Sequence, residues 1–488
     1  MTALGLALLL PVVGAMVVLI GVSRPRTILM VCVGGSFASA AVTTIAARSA
    51  FAGPTFAGYG HVFLDALSGY HALLVVGVFA LSSIYACYYF APAIANGTFD
   101  SRKARRFGSL WFLFLGSMLL TLAANNVGLM WVGMEATTIA SALLVCLERD
   151  RPSIRAAWTY LVMCSVAIGL ALLGVIVVCA EAAKHGDGHS VVLWTDLRAL
   201  APQLRAGPVR LAFLFALVGF GTKAGLAPMH SWLPEAHGQA PTPVSAVLSG
   251  VLLNCALYCL SRFLPIVEPS SPGWTGAVLV PFGVLSMVVA AAFIVHERDI
   301  KRLLAFHSVE HVGIITLGLG FGASAAALFH TLNHSVCKML TFFCAGSLAQ
   351  RYGSRDMTAM RGTLRCLPVA GGGFFAGLLV LIGMPPFSVF MSEIWIAKVG
   401  VERGHLAAVM TFLAAAAVVF IAAFRHAVEM TWEGPARERR SDSGTAGGRI
   451  GLGLVVVPLG MLVVVGLWMP DALGEVLTRA AAILGSRP

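Results

Sequence analysis

The chain has 488 residues, 58% of them hydrophobic and only 11% charged, with a mean hydropathy of +0.87. Soluble domains carry about 25% charged residues, so the composition excludes a soluble enzyme and predicts an all-α polytopic membrane protein. The net charge of +11 does not point to nucleic acid, because the basic residues sit in short loops whose natural counterpart is the anionic face of a lipid bilayer.

A spanning helix needs about 20 apolar residues. That rule predicts spans near 4–22, 27–47, 67–91, 107–124, 126–147, 156–180, 209–227, 241–264, 273–295, 300–320, 323–349, 368–397, 405–428 and 450–470, about 14 in all. Residues 4–22 lack the basic flank of a signal peptide, so an uncleaved first helix is expected. Loops after odd-numbered spans hold 21 Lys and Arg, against 10 on the opposite side. The bias predicts both termini outside and the odd-numbered loops in the cytoplasm. Arg262 and Lys301 are counted among these loop charges. No loop is long enough to hold a core of its own. The ten cysteines lie mostly inside apolar segments without metal-ligand spacing, as buried unpaired thiols would. His185 and His189 in Lys-His-Gly-Asp-Gly-His are two ligands with no third, which reads as a solvated turn.

Taken in order, the first unusual residue is Glu135, mid-span in the fifth segment with no cation nearby in sequence. A carboxylate at membrane depth must pair, protonate or face water. Lys223 in the seventh span is a partner on another helix. It precedes Pro228, and a proline inside a helix removes a donor and clashes with the preceding turn, so a break is expected near Pro228. Freed backbone groups are tolerated at membrane depth only inside protein or beside a wet cavity. The chain restarts across His230, Trp232, Pro234, Glu235 and His237, then enters the eighth span after Pro241 and Pro243.

His307, Glu310 and His311 enter the tenth span, some of them within reach of the interface. In the eleventh, His330, His334 and Lys338 fall at i, i+4 and i+8. That spacing puts them on one face roughly 6 Å apart. Histidine titrates near neutral pH and passes protons through either nitrogen, so the stripe reads as a proton wire. A transition-metal site is the competitor, but no carboxylate or thiolate joins the stripe at helical spacing. The twelfth span breaks at Pro385-Pro386 and carries one acid, Glu393. The two broken spans are five positions apart, an odd number, so the halves would be inverted; matching broken helices mark conduction sites in transporters. There is no phosphate-binding loop, dinucleotide fingerprint, CxxC, haem motif or nucleophile elbow, so no cofactor, metal or redox chemistry is expected on this chain.

These residues resemble the antiporter-like membrane subunits of respiratory complex I, membrane-bound hydrogenases and multisubunit cation/proton antiporters. The likeness rests on Glu135, on Lys-x4-Pro-x-His-x-Trp-Leu-Pro-x-Ala and Pro-Thr-Pro-Val-Ser-Ala between Lys223 and Ala246, and on Asp-Ile-Lys-Arg-Leu-Leu-Ala leading to the stripe that ends at Lys338. Met-Trp-Val-Gly-Met-Glu-Ala-Thr-Thr around Glu135 and Ala-Phe-His-Ser-Val-Glu-His around His307 look most similar to component F of hydrogenase-4 and formate hydrogenlyase complexes. The resemblance implies two inverted five-helix repeats containing broken helices 7 and 12. The division would be 1–106, three N-terminal helices; 107–265, the first repeat; 266–430, the second; and 431–488, a cytoplasmic loop, the last helix and a short tail.

It further implies a modulating pair of Glu135 and Lys223, a central relay of Lys338 with His330 and His334, and an exit group at Glu393. His230, His237, Asn254, His307, Glu310 and His311 are candidate relay members. In the eighth span, where several relatives carry lysine or histidine, this chain offers Ser249 and Asn254. Neither titrates, so that link needs ordered water or another route. Only 18 residues follow the last span, roughly 27 Å of helix at most, which favours a middle subunit over the distal one of complex I. The expected function is proton translocation within a hydrogenase-4 or formate-hydrogenlyase type of complex in a bacterial or archaeal cytoplasmic membrane. The expected partners are other membrane subunits and, through them, a nickel-iron hydrogenase or related redox arm. The alternatives are membership of a multisubunit sodium/proton antiporter, a middle position in NADH-quinone oxidoreductase, and a scaffold that conducts nothing.

Overall fold

The computed structural model describes residues 2–185, 191–432 and 451–485. It is a bundle of helices in the order α1 (Ala3–Met16, continued by a π turn to Gly21), α2 (Pro25–Ala52), α3 (Ala66–Ala95), α4 (Ser101–Ala123), α5 (Val127–Val145), α6 (Arg151–Ala182) and the short α7 (Trp194–Leu200). There follow α8 (Ala206–Ala224), α9 (Trp232–Gln239), α10 (Thr242–Val247), α11 (Leu253–Ser261), α12 (Leu264–Val267), α13 (Trp274–Ile294) and α14 (Ile300–Gly320). The chain closes with α15 (Ser324–Tyr352), α16 (Thr363–Cys366), α17 (Pro368–Leu381), α18 (Ser388–Glu402), α19 (Leu406–Trp432), α20 (Gly453–Leu467) and α21 (Asp471–Ile483). A hairpin of β1 (Thr55–Ala57) and β2 (Val62–Leu64) joins α2 to α3. The loop expected around 433–450 lies outside the described residues.

Side-chain caps set many of the helix starts. Asp65 accepts from Ser68 N, Asp100 from Lys103 N, Asn126 from Gly128 N and Leu129 N, Asp150 from Ser153 N, and Asp299 from Lys301 N and Arg302 N. Each satisfies amides that have no partner within their own helix.

Among the described residues eleven helices are long and apolar enough to cross a bilayer, or twelve if α20 and α21, bent by 81°, form one span. The expected count of about 14 is therefore not reached on length and composition. Helix α15 is long, but His330, His334 and Lys338 lower its hydropathy. The twelfth expected span is split into α17 and α18, and α20 alone has 15 residues. The polar content goes with position. Helices α10 to α12 and α14 are buried nearly throughout, whereas α1, α2, α6 and α19 leave most of their residues on the bundle's outer surface.

Both expected breaks are present, each a few residues before the proline named for it. Helix α8 stops at Gly225 (φ +85°), with Gly225 N bonded to Thr222 O and Leu226 N to Gly221 O. Helix α17 stops at Gly383 (φ +66°), with Gly383 N bonded to Val380 O and Met384 N to Leu379 O. The two ends share the same Gly-x-x-Pro spacing, Gly225 to Pro228 and Gly383 to Pro386. A left-handed residue closing 5→2 and 6→1 bonds is a Schellman cap, for which glycine has no steric cost. Glycine ends each helix; proline prevents its resumption.

Two residues counted as loop charges lie inside. Arg262 is buried and makes a two-pronged ion pair with Asp65, Nη1 to Oδ2 and Nη2 to Oδ1 both at 2.7 Å. Its guanidinium sits 4.4 Å from the Trp194 ring and 4.8 Å from that of Tyr258. Lys301 is also buried and donates to Ala240 O at 2.9 Å, a carbonyl left free where α9 ends before Pro241. All ten cysteines are unpaired. His185 leans toward Glu181, 3.6 Å away, while His189 lies outside the described residues.

Candidate functional site

The first cluster is built on the end of α8. Lys223 is fully buried; its ammonium donates to Thr138 Oγ1 at 2.8 Å and Tyr160 Oη at 2.6 Å, and lies 4.6 Å from the Tyr160 ring centroid. Tyr160 shares a 2.7 Å hydrogen bond with Ser141 and stacks on Trp232 at 4.5 Å. Trp232 in turn donates its indole N–H at 2.8 Å to Thr222 O, which also accepts from Gly225 N at the helix end. The proline-rich run thus restarts the chain so that Trp232 seals the broken helix and holds the phenol that holds the lysine.

Glu135 stands one step away. Its Oε1 accepts from Ser165 at 2.6 Å and its Oε2 lies 3.4 Å from Thr138 Oγ1. Among the described residues Glu135 and Lys223 make no direct ion pair; Thr138 stands between them. Glu135 is half-buried while the lysine is closed off, so the carboxylate occupies the outer end of this cluster.

The second cluster gathers α14, α15 and α18. Lys338 is fully buried and donates to Leu304 O at 2.7 Å. It lies within electrostatic reach of Glu310, His334 and His237. His307 and Glu310 share a 2.9 Å hydrogen bond, and His311 Nδ1 meets His330 Nε2 at 2.8 Å. His307, Glu310 and His311, some of which the sequence puts within reach of the interface, are all buried, because α14 runs through the middle of the bundle. His334 is 5.4 Å from His311 between ring centroids, and neither of its nitrogens has a partner among the described residues.

Glu393 projects from the first turns of α18, half-buried, with a carboxylate oxygen close to a nitrogen of His330 and one of His311. A Cβ on Gly383 would collide with this carboxylate, so the glycine that ends α17 also makes room for the acid.

The remaining candidates fall between or beside these clusters. His237 is fully buried, stacks on Phe342 at 5.1 Å and lies within reach of both Lys301 and Lys338. His230 is half-buried against Phe293 and Phe306. Asn254 donates to Ser335 Oγ and Gly250 O, each at 2.8 Å. Ser249 shares a 2.7 Å hydrogen bond with Ser308 inside a π turn at Leu248–Leu252; such turns recur at functional sites.

Sequence reasoning missed Thr138, Ser141, Tyr160 and Ser165 around the first cluster, and Ser392 and Asn333 around the second. Thr138 and Ser141 sit at i+3 and i+6 from Glu135 on its own helix, a signal that could have found them. Tyr160 and Ser165 belong to α6, and nothing local connects them to Lys223 or Glu135.

Two buried lysines, each in a polar cluster with a half-buried carboxylate and each beside a glycine-ended broken helix, define an antiporter-like membrane subunit. The chain belongs to the family described as NADH:quinone oxidoreductase/Mrp antiporter, TM, whose profile matches residues 124–419. It is 37% identical over 355 residues to a hydrogenase-4 component F homolog of Methylacidiphilum infernorum, covering 72% of this chain and 75% of that one. It is 29% identical over 356 residues to a component of the Na(+)/H(+) antiporter of Alkalihalophilus pseudofirmus, covering 68% of this chain but 42% of that longer protein. In fold it is similar to a chain of the archaeal membrane-bound sulfane sulfur reductase, with TM-score 0.85, 20% identity, and 99% and 98% of the two chains covered. It is thus a multi-pass, antiporter-like proton-translocating membrane subunit of complex I-related or Mrp-type assemblies.

Proposed function

We propose that this chain carries protons within a complex of the hydrogenase-4 or formate-hydrogenlyase type, and that the electron chemistry resides on other chains. The observation that carries this reading is Lys223, enclosed and bonded to two hydroxyls, one of which leads on to Glu135. A desolvated ammonium holds its proton less firmly, and a nearby carboxylate restores the hold. A lysine one hydroxyl away from a carboxylate therefore changes its grip on a proton with small movements of either helix. Lys338, whose partner is a neutral carbonyl, is the central carrier of the second half. Its neighbours His330 and His334 lead outward to Glu393.

The half-buried carboxylates, Glu135 and Glu393, are where neighbouring membrane subunits would deliver or accept protons. On this reading the division is 1–106, 107–265, 266–430 and 431–488, with the two central parts inverted relative to each other. The shared Gly-x-x-Pro helix ends support that relation. The chain would lie in a bacterial or archaeal cytoplasmic membrane with both termini outside, next to a nickel-iron hydrogenase arm, as the basic loops and the 37% identity to a hydrogenase-4 component F homolog favour.

A second reading, sodium/proton exchange, is favoured by the similarity to the Na(+)/H(+) antiporter component. Proton uptake by vesicles containing the purified complex, measured with and without sodium, separates the two. Sodium-independent pumping driven by electron transfer supports the first reading; strict sodium dependence replaces it with the second. Co-purification of a nickel-iron protein, of a flavin-containing NADH module or of small membrane proteins alone then selects the assembly.

A further inference from the structure

We propose that His311, His330 and Glu393 form a binding site for a divalent transition-metal ion of the zinc class, and that an ion there blocks proton passage at the outer end of the second cluster. Nothing in the spacing of α15 suggests it, since no carboxylate shares that helix face. The carboxylate arrives from α18. One ligand atom from each of the three residues lies within 4.8 Å of the others. Two imidazoles and a carboxylate with a fourth position left for water are an established donor set for zinc, which imposes little geometric preference of its own.

The hydrogen bonds around the site prepare it. With the Ser392 hydroxyl donating to Val389 O at 2.8 Å or Ser388 O at 3.2 Å, its oxygen is left to accept from His330 Nδ1 at 2.9 Å and from Asn333 Nδ2 at 3.2 Å. In that tautomer His330 presents a bare Nε2, fixed in direction by a second partner as metal-bound histidines are. The proton between the two rings then belongs to His311 Nδ1, 2.8 Å from that Nε2. An ion entering there would shift this proton to His311 Nε2, which is buried and has no partner among the described residues. With bonds of about 2.0–2.1 Å in a tetrahedral arrangement, the two nitrogens need to part by only about half an ångström.

A second group, His307, Glu310 and His311, shares His311. There all three residues lie on α14 and His307 and Glu310 are joined by a 2.9 Å hydrogen bond, whereas the proposed site draws its ligands from three helices, α14, α15 and α18. The nitrogens a metal would take are the ones that would pass a proton between His311 and His330, so ion and proton exclude each other.

The consequence for transport rests on the proposed function, but the binding itself does not, and it is read separately. The purified complex is equilibrated with zinc chloride alone, and retained zinc is measured per chain by mass spectrometry. X-ray absorption should show imidazole scattering from two histidines and one carboxylate oxygen, with bonds of about 2.0–2.1 Å. His330→Ala and Glu393→Ala should each weaken retention at least tenfold. Ser392→Ala keeps all three ligands but loosens the His330 ring, and should weaken retention roughly ten- to a hundredfold. If a ligand variant fails to assemble, the wild-type spectrum and Ser392→Ala decide alone. No retained zinc, a first shell of sulfur or of oxygen only, or unchanged retention in the variants overturns the site. Zinc retained as described without loss of pumping overturns the block alone.

Discussion

Lys223 and Glu135 are joined through a single hydroxyl. The ammonium donates to Thr138 Oγ1 at 2.8 Å, and Thr138 Oγ1 lies 3.4 Å from Glu135 Oε2. Valine at position 138 keeps the shape of the side chain and removes this bridge. A lost hydrogen bond to a charged group is worth about 1.5–3 kcal/mol, which is about ten- to a hundredfold in an equilibrium. Thr138→Val is therefore expected to assemble and to lower coupled proton pumping at least tenfold in vesicles. Pumping within twofold of wild type would show that the two residues communicate by another route.

Lys223→Arg preserves the charge beneath Tyr160 but cannot release a proton at any accessible pH. It is expected to assemble and to pump nearly as poorly as Lys223→Ala, measured as protons moved per electron pair. Wild-type pumping by the arginine variant would mean that a fixed charge suffices and that the lysine is structural.

Lys338→Met is expected to impair transport more than His330→Ala or His334→Ala alone. The lysine is the one ammonium bonded to Leu304 O in this cluster, whereas a water molecule can stand in for one imidazole. Side-by-side transport assays of the three variants check the order. Two inactive histidine variants with an active Lys338→Met would reverse the assignment of the central carrier.

Asp65 and Arg262 tie the start of α3 to the end of α11, with side chains only 6% and 1% exposed. Removing one partner of a buried pair leaves an uncompensated charge, at a cost of about 3–5 kcal/mol. Asp65→Asn should lower the thermal unfolding midpoint of the complex markedly, whereas Glu148→Gln, which breaks the exposed Lys103–Glu148 ion pair at 2.8 Å, should change it little. Equal midpoints for the two variants would refute this.

The same pair predicts an acid limit. Burial alone would raise the Asp65 carboxyl, but the Arg262 charge and hydrogen bonds, with those of Ser68, hold it below its ordinary value of 3.8. A carboxyl lowered by folding stabilises the fold fully above its unfolded value and loses that contribution as pH falls through the folded one. Denaturation from pH 7 downward should show wild type losing stability below about pH 4, a loss that Asp65→Asn lacks. An identical acid limb in both proteins would remove Asp65 from the account.

The local features were legible in the sequence. Apolar runs located the spans, and Pro228 and Pro385-Pro386 announced two broken helices. The intramembrane acids, lysines and histidines stood out because charge is rare there. What spacing could not settle was which helix faces which. It counted Arg262 and Lys301 as loop charges, although one meets Asp65 and the other a carbonyl freed at the end of α9. It left Lys223 without Tyr160, and it found no acid for the His330 stripe because Glu393 comes from a separate helix, α18, beyond the break that ends α17.

The physical reason is the range of each signal. Hydropathy and helix breaking act on neighbouring residues, and helical spacing reports only residues three or four apart on one helix. Hydrogen bonds between helices instead depend on how each helix is rotated and how deep it sits, and packing sets both. The sequence by itself therefore determined that this is a membrane bundle with two interrupted helices and buried titratable groups. Only the tertiary structure decided that Thr138 stands between Lys223 and Glu135, and that Glu393 closes on His311 and His330.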